Sequence, residues 1–168
     1  LQSAPQSALV LGAGGAACAV LHALRGLGVP QIRLAARNEH TGAALAARFN
    51  AQFIPWENRS SNPAQLVVNT TPLGMAGAVG AEETPLAAVE FAALAESWPP
   101  AACLAYDLVY NPSQTPFLRA AATAGWGVQG GLTMLAAQGL AQFELWSGRA
   151  QPPLNEALDL LAGALAQG

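Results

Sequence analysis

The chain has 168 residues, of which 52% are hydrophobic and 10% charged, enough apolar material for one domain with a packed core and too much for a disordered chain. Its net charge of -3, without a basic run, leaves no electrostatic footprint for nucleic acid. No stretch is long and apolar enough to span a bilayer. Leu1 to Gln6 is short and polar and reads as a linker or a cut end. Cys18 and Cys103 are too few for a disulfide framework, so a reducing cytoplasm is the expected compartment. All seven basic residues are arginine; the chain contains no lysine.

The first element, Ser7 to Leu11, reads as a short buried strand. It runs into Gly12-Ala13-Gly14-Gly15-Ala16-Ala17, after which Val20, Leu21, Leu24 and Leu27 recur at helical spacing. Glycines between a strand and a helix give the Gly-x-Gly-x-x-Gly/Ala pattern its meaning. Gly12 makes the tight turn, Gly14 lets a pyrophosphate approach the backbone, and Ala17 keeps helix and strand close. The helix start then offers free N–H groups and the positive end of its dipole to phosphates. The alternative is a glycine turn in some other α/β protein. Gly28 and Pro30 end this helix near Leu27. Cys18 reads as packing and His22 as surface, with no metal-ligand partner at useful spacing.

Gln31 to Arg37 is the second strand. An NAD site places an acid about 20 residues after the glycines. Here the strand end reads Ala35-Ala36-Arg37-Asn38. Arg37 instead offers a fork for a 2′-phosphate, which favours NADP. A solvated arginine is the alternative, and Glu39 close by is counter-evidence. A helix follows over Glu39 to Phe49, then a short strand over Gln52 to Ile54. Glu57 to Gln65 is a polar loop. Gln65 to Asn69 is the fourth strand, and it delivers Thr70 and Thr71 to the carboxyl edge of the sheet, where ligands of open parallel sheets collect.

Ala76 to Thr84 is small and flexible, and Pro85 to Ala95 forms a short helix. Ala102 to Asp107 is the fifth strand, leading into Leu108-Val109-Tyr110-Asn111-Pro112. Thr115 caps a helix through Ala124, with Pro116 at its first position. Val128 and Gln129 form a short sixth strand, and Gly130-Gly131 open a helix from Leu132 to Trp146. After Pro152-Pro153, Leu154, Leu158, Leu161 and Leu165 make one apolar stripe on a last helix. The alternation predicts an α/β, Rossmann-type doubly wound, mostly parallel sheet of about six strands with flanking helices. Residues 1–150 form the dinucleotide-binding domain and 151–168 an appended helix.

Four motifs give the chain a family likeness. Gly12-Ala-Gly-Gly-Ala-Ala17 is generic. Asn69-Thr-Thr-Pro-Leu-Gly-Met75, Tyr106-Asp-Leu-Val-Tyr-Asn-Pro112 with Thr115-Pro116, and Gly131-Leu-Thr-Met-Leu-Ala-Ala-Gln138 are specific in this order and spacing. Over nearly its whole length the chain resembles the cofactor-binding domain of shikimate dehydrogenase. The resemblance implies that Gly12, Ala13, Gly14, Gly15 and Ala16 bind the pyrophosphate of NADP. Arg37 and Asn38 would bind the adenosine 2′-phosphate. Thr70, Thr71, Leu108 and Gly131 would border the nicotinamide half, and Tyr110 and Gln138 would reach the substrate. The implied reaction is reversible reduction of 3-dehydroshikimate to shikimate. Two departures weaken the cofactor match: Ala36 stands where the family often has Asn, and Thr41 where it often has a second basic residue. Thr133 stands where Gly is usual.

The family's catalytic lysine and aspartate match nothing here, since they belong to an amino-terminal substrate domain. The residues agree. Reducing a ketone needs a proton donor near the developing alkoxide. There is no lysine, arginine stays protonated, and His22 and His40 fall on the adenine side. Tyr110 has no lysine three or four residues on to activate it. The expectation is therefore a chain with no catalytic residue of its own, sharing a small-molecule substrate with a further domain and open to homo-oligomerisation. A standalone NADP-binding or redox-sensing module is the alternative. An S-adenosylmethionine-dependent methyltransferase also opens on strand, glycine loop and helix, but Arg37 stands where it needs an acid.

Overall fold

A computed structural model describes residues 3–165. Leu1 and Gln2 of the polar lead-in, and residues 166–168 of the terminal segment, lie outside the described residues. In chain order the elements are β1 (Ser7–Leu11), α1 (Gly15–Gly26), β2 (Gln31–Ala36), α2 (Glu39–Arg48), β3 (Gln52–Pro55), β4 (Leu66–Asn69), α3 (Ala88–Leu94), β5 (Leu104–Asp107), α4 (Pro116–Thr123), β6 (Gly127–Gln129), α5 (Leu132–Ser147) and α6 (Leu154–Leu165). Short 3-10 turns cover Trp56–Asn58 and Pro100–Ala102.

All six strands are parallel, in the order β3-β2-β1-β4-β5-β6. The order reverses between β1 and β4, so their carboxyl ends flank the crevice where doubly wound sheets hold ligands. Every residue of β1 is buried, as expected of a central strand covered on both faces. One core packs Leu9, Leu11, Ile54, Val67, Phe91, Phe117 and Trp126 on one side of the sheet. The other packs Val10, Leu21, Leu24, Ile32, Leu34 and Val68 against α1 and α2. Each fully buried large apolar side chain contributes about 1.5–3 kcal/mol, so the two layers together hold the sheet rigid under the loops at its carboxyl edge.

Most sequence boundaries shift by a residue or so, and the helix read over Pro85 to Ala95 spans only Ala88–Leu94. Ala102 and Cys103 are not in the fifth strand; Pro99-Pro100 forces a 3-10 turn first, and β5 starts at Leu104. The polar stretch after β3 opens with a 3-10 turn before its loop. Arg37 and Gln65 fall just outside β2 and β4. Thr115 caps α4 as the sequence predicts, its Oγ1 accepting from the Leu118 N–H at 3.2 Å; the structure adds Asn38 as the cap of α2, its Oδ1 accepting from the Thr41 N–H at 2.9 Å. Gly28, with φ +72°, ends the turn after α1.

The carboxyl-terminal helices depart from the layered plan. α5 and α6 pack on each other. On α5 only Ala136 and Leu140 are buried, and on α6 nothing is. Leu145, Trp146 and Leu160 are 79%, 78% and 76% exposed. None of the described helices is long and apolar enough to cross a membrane.

Candidate functional site: the carboxyl edge of the sheet

A cavity of about 320 Å³ opens at the carboxyl edge, lined by residues that include Gly12, Ala13, Gly14, Arg37, Asn38, Thr70 and Thr71. Seven residues singled out from sequence thus meet at one place, contributed by the ends of β1, β2 and β4.

Gly12 is a steric requirement. Its φ is +105°, its N–H donates to the Ala35 carbonyl at 2.8 Å, and a Cβ there would lie 2.8 Å from Thr70 Oγ1. Only glycine meets both conditions. Gly14 and Gly15 differ: a Cβ on either would meet nothing within 4 Å. Open space above bare backbone, at the start of a 12-residue helix with no side-chain cap and no acid in its first turn, fits a pyrophosphate. Gly15 and Ala16 are exposed in that first turn, beside the cavity lining and not part of it.

The two threonines carry out tasks within the protein. Thr70 Oγ1 donates to the Leu11 carbonyl at 2.7 Å, tying the β4 loop to β1. Thr71 Oγ1 donates to Asn69 Oδ1 at 2.7 Å, and its N–H donates to the same oxygen at 3.0 Å. Asn38 likewise spends its carbonyl oxygen on capping α2, which leaves its amide N–H groups for a ligand. Arg37 is exposed at the mouth, with no side-chain hydrogen bond among the described residues.

The remaining predicted residues gather elsewhere along the same edge. Tyr110 and Gly131 line a separate cavity of about 190 Å³, together with Thr133. Thr133 does not close it; its hydroxyl accepts from Gln129 Nε2 at 3.4 Å. Gly131 is buried against the Leu108 carbonyl, which an added Cβ would overlap, and its N–H donates to Val109 O at 3.1 Å. Leu108, half-buried, borders neither cavity but pins the loop, its N–H donating to Asn69 O at 3.0 Å. Gln138 is exposed on α5, further along the helix from the Leu132 and Thr133 that border the smaller cavity, and is not itself in that cavity's lining.

Two features escaped the sequence reading. One is Trp56, which walls the larger cavity. The other is a buried polar knot joining the loops after β4 and β5. Asp107 is fully buried and accepts from Asn69 Nδ2 at 2.9 Å, the Val109 N–H at 3.0 Å and Thr115 Oγ1 at 2.6 Å. Burial pushes its carboxyl above the usual value, opposed by those three hydrogen bonds. The signal was available: an Asp ending a buried strand, opposite Asn69 in register, with a cap threonine eight residues on. With its oxygens occupied and no access to solvent, Asp107 positions loops and is no proton donor to a ligand. The described residues include no cluster of three side chains able to hold a metal.

Strand order, crevice and glycine cradle define the chain as a Rossmann domain of the dinucleotide-binding class. Residues 131–160 match the family described as Shikimate 5'-dehydrogenase C-terminal domain. A shikimate dehydrogenase (NADP(+)) of Oleidesulfovibrio alaskensis is 50% identical over 166 residues, covering 99% of this chain and 57% of that protein. The solved structure of a shikimate 5-dehydrogenase from Thermus thermophilus, in complex with NADP(H) and shikimate, superposes with a TM-score of 0.73 at 39% identity, covering 90% of this chain and 54% of that one. A chorismate mutase/shikimate 5-dehydrogenase fusion protein from Clostridium acetobutylicum gives 0.83 at 27% identity, covering 98% and 56%. The chain is thus similar to the shikimate dehydrogenases and to their C-terminal domain, and it spans little more than half the length of the relatives it matches.

Proposed function

We propose that the chain is the NADP(H)-binding part of an oxidoreductase that interconverts 3-dehydroshikimate and shikimate. The observation that carries this reading is the cavity joining the bare Gly12–Gly14 backbone to Arg37, with no carboxylate in its lining. NADPH bound there supplies the hydride. The protein's own contribution is positional. The Gly14–Ala16 backbone at the α1 start receives the pyrophosphate, Arg37 and the Asn38 amide receive the 2′-phosphate, and the Asn69–Asp107–Thr115 knot fixes the loops on either side of the nicotinamide. Tyr110 and Gly131, in their own cavity, form the substrate-facing margin.

Arg37 tests the cofactor preference. Charge-assisted hydrogen bonds contribute roughly 1.5–3 kcal/mol. Arg37→Ala is therefore expected to weaken NADPH binding about tenfold or more and to leave NADH nearly unchanged. Calorimetric titration of both cofactors reads this directly. Equal affinity of the parent protein for the two would overturn the preference.

The α5–α6 surface belongs to the same reading. The stripe of Leu154, Leu158, Leu161 and Leu165 is only partly covered, and with the exposed Leu145, Trp146 and Leu160 it offers apolar surface to the part of the relatives' length this chain does not span, or to a second copy. Amide exchange at Leu158 should accordingly be much faster than at Leu66 to Val68 in a monomer, or the chain should self-associate in sedimentation. A monomer whose Leu158 is as protected as β4 rules this out.

A further inference from the structure

Along the sheet, the glycine loop ends β1, Arg37 follows β2 and Trp56 follows β3, three successive positions toward one edge. A dinucleotide with its pyrophosphate at the glycines and its 2′-phosphate at Arg37 must carry its purine base toward Trp56. Trp56 is half-buried and bounds both the main cavity and a neighbouring one of about 180 Å³, which share Arg37, Thr71 and Pro72.

Arg59 lines only the smaller cavity of the two, and there it stacks on the indole with its guanidinium carbon 5.0 Å from the ring centroid. Its Nε donates to Pro85 O at 2.7 Å, its Nη1 to Trp56 O at 3.0 Å, and its Nη2 pairs with Glu90 at 3.0 Å. Glu90 is held in turn, accepting from Ser60 Oγ at 3.1 Å and the Ala87 N–H at 2.9 Å. With its charge balanced and its donors engaged, Arg59 is poorly disposed to take an anion. What it does is pack on one face of the indole and restrain the ring. The main cavity thus has a restrained aromatic ring in its wall and the exposed, planar guanidinium of Arg37 at its mouth. Both are surfaces that favour a flat aromatic base.

The geometry points to Trp56 as a stacking platform for the purine base of the bound dinucleotide, braced by Arg59 and Glu90. This rests on the cofactor reading above and adds to it the residue that recognises the base.

The test titrates adenosine 2′,5′-bisphosphate and, separately, reduced nicotinamide mononucleotide into the parent chain, Trp56→Phe and Trp56→Ala. Aromatic stacking on a base is worth about a tenfold change in affinity on truncation to alanine. Trp56→Ala should lose about that factor for the bisphosphate and nothing for the mononucleotide, while Trp56→Phe keeps most of the affinity. Quenching of Trp56 emission by the bisphosphate, present in the parent and missing from Trp56→Phe, reports the stack without requiring the alanine variant to fold. If the parent binds the bisphosphate but shows no Trp56-dependent quenching and Trp56→Ala binds equally well, the platform is wrong and the cofactor reading stands. If the parent binds neither the bisphosphate nor NADPH, the cofactor reading itself falls.

Discussion

An Asp107→Ala substitution is expected to destabilise the domain by about 3 kcal/mol or more, and Asp107→Asn by less, about 1–2 kcal/mol. Alanine leaves Asn69 Nδ2, the Val109 N–H and the Thr115 hydroxyl without their acceptor in a site closed to water. Each buried donor left unpaired costs about 1–3 kcal/mol, partly offset because a desolvated charge is removed. Asparagine keeps the oxygen that serves Asn69 and Val109, and its amide can donate to Thr115 Oγ1, but the Thr115 hydroxyl then loses the acceptor it has in the carboxylate. Urea unfolding of the three proteins measures the difference. The pH dependence has a definite sign. Burial raises the Asp107 carboxyl above its ordinary value of 3.8, so the folded chain holds that proton more tightly than the unfolded one. The stabilisation from protonation is full below the ordinary value and is lost as pH rises through the raised one. The parent should therefore lose stability relative to Asp107→Asn on going from below 3.8 toward neutral pH. An opposite slope would mean that the three hydrogen bonds outweigh burial.

What the sequence revealed follows from how local each signal is. The β1–loop–α1 unit was legible because a strand, Gly12 and a helical stripe stand next to one another in the chain. The left-handed φ of Gly12 and the empty space over Gly14 are what that pattern encodes. Thr115 and Pro116 announced α4 by the same kind of short-range chemistry. Asp107 as a hub was not legible in that way: its partners Asn69 and Thr115 are brought to it by strand register and a turn. Trp56 was missed for a related reason, since an aromatic after a short strand is ordinary until β2 and β3 are known to be neighbours. The threonines do line the crevice, but the sequence did not show that their hydroxyls have partners within the protein. Proximity to the crevice was legible, whereas the hydroxyl of Thr70 is already committed to Leu11.

The chain of 168 residues, assayed alone, is expected to bind NADPH and to reduce 3-dehydroshikimate at a rate indistinguishable from background. Its sequence contains no lysine. Asp107 is fully buried and hydrogen-bonded, and Tyr110 lines a cavity separate from the one at the glycine cradle. A positioned general acid or base is typically worth 10²–10⁴-fold. Orientation of the two reactants adds of order 7–11 kcal/mol in favourable cases. A site with Tyr110 and Gly131 on one side and open solvent on the other supplies little of either. The decisive assay follows nicotinamide absorbance with 3-dehydroshikimate, first for the chain alone and then after adding the separately produced amino-terminal part of the Oleidesulfovibrio alaskensis relative. Recovery of turnover only in the mixture fits a cofactor-holding half whose acid comes from elsewhere. Turnover by the chain alone that disappears in Tyr110→Phe would instead make the phenol the proton donor, and the chain a small reductase in its own right.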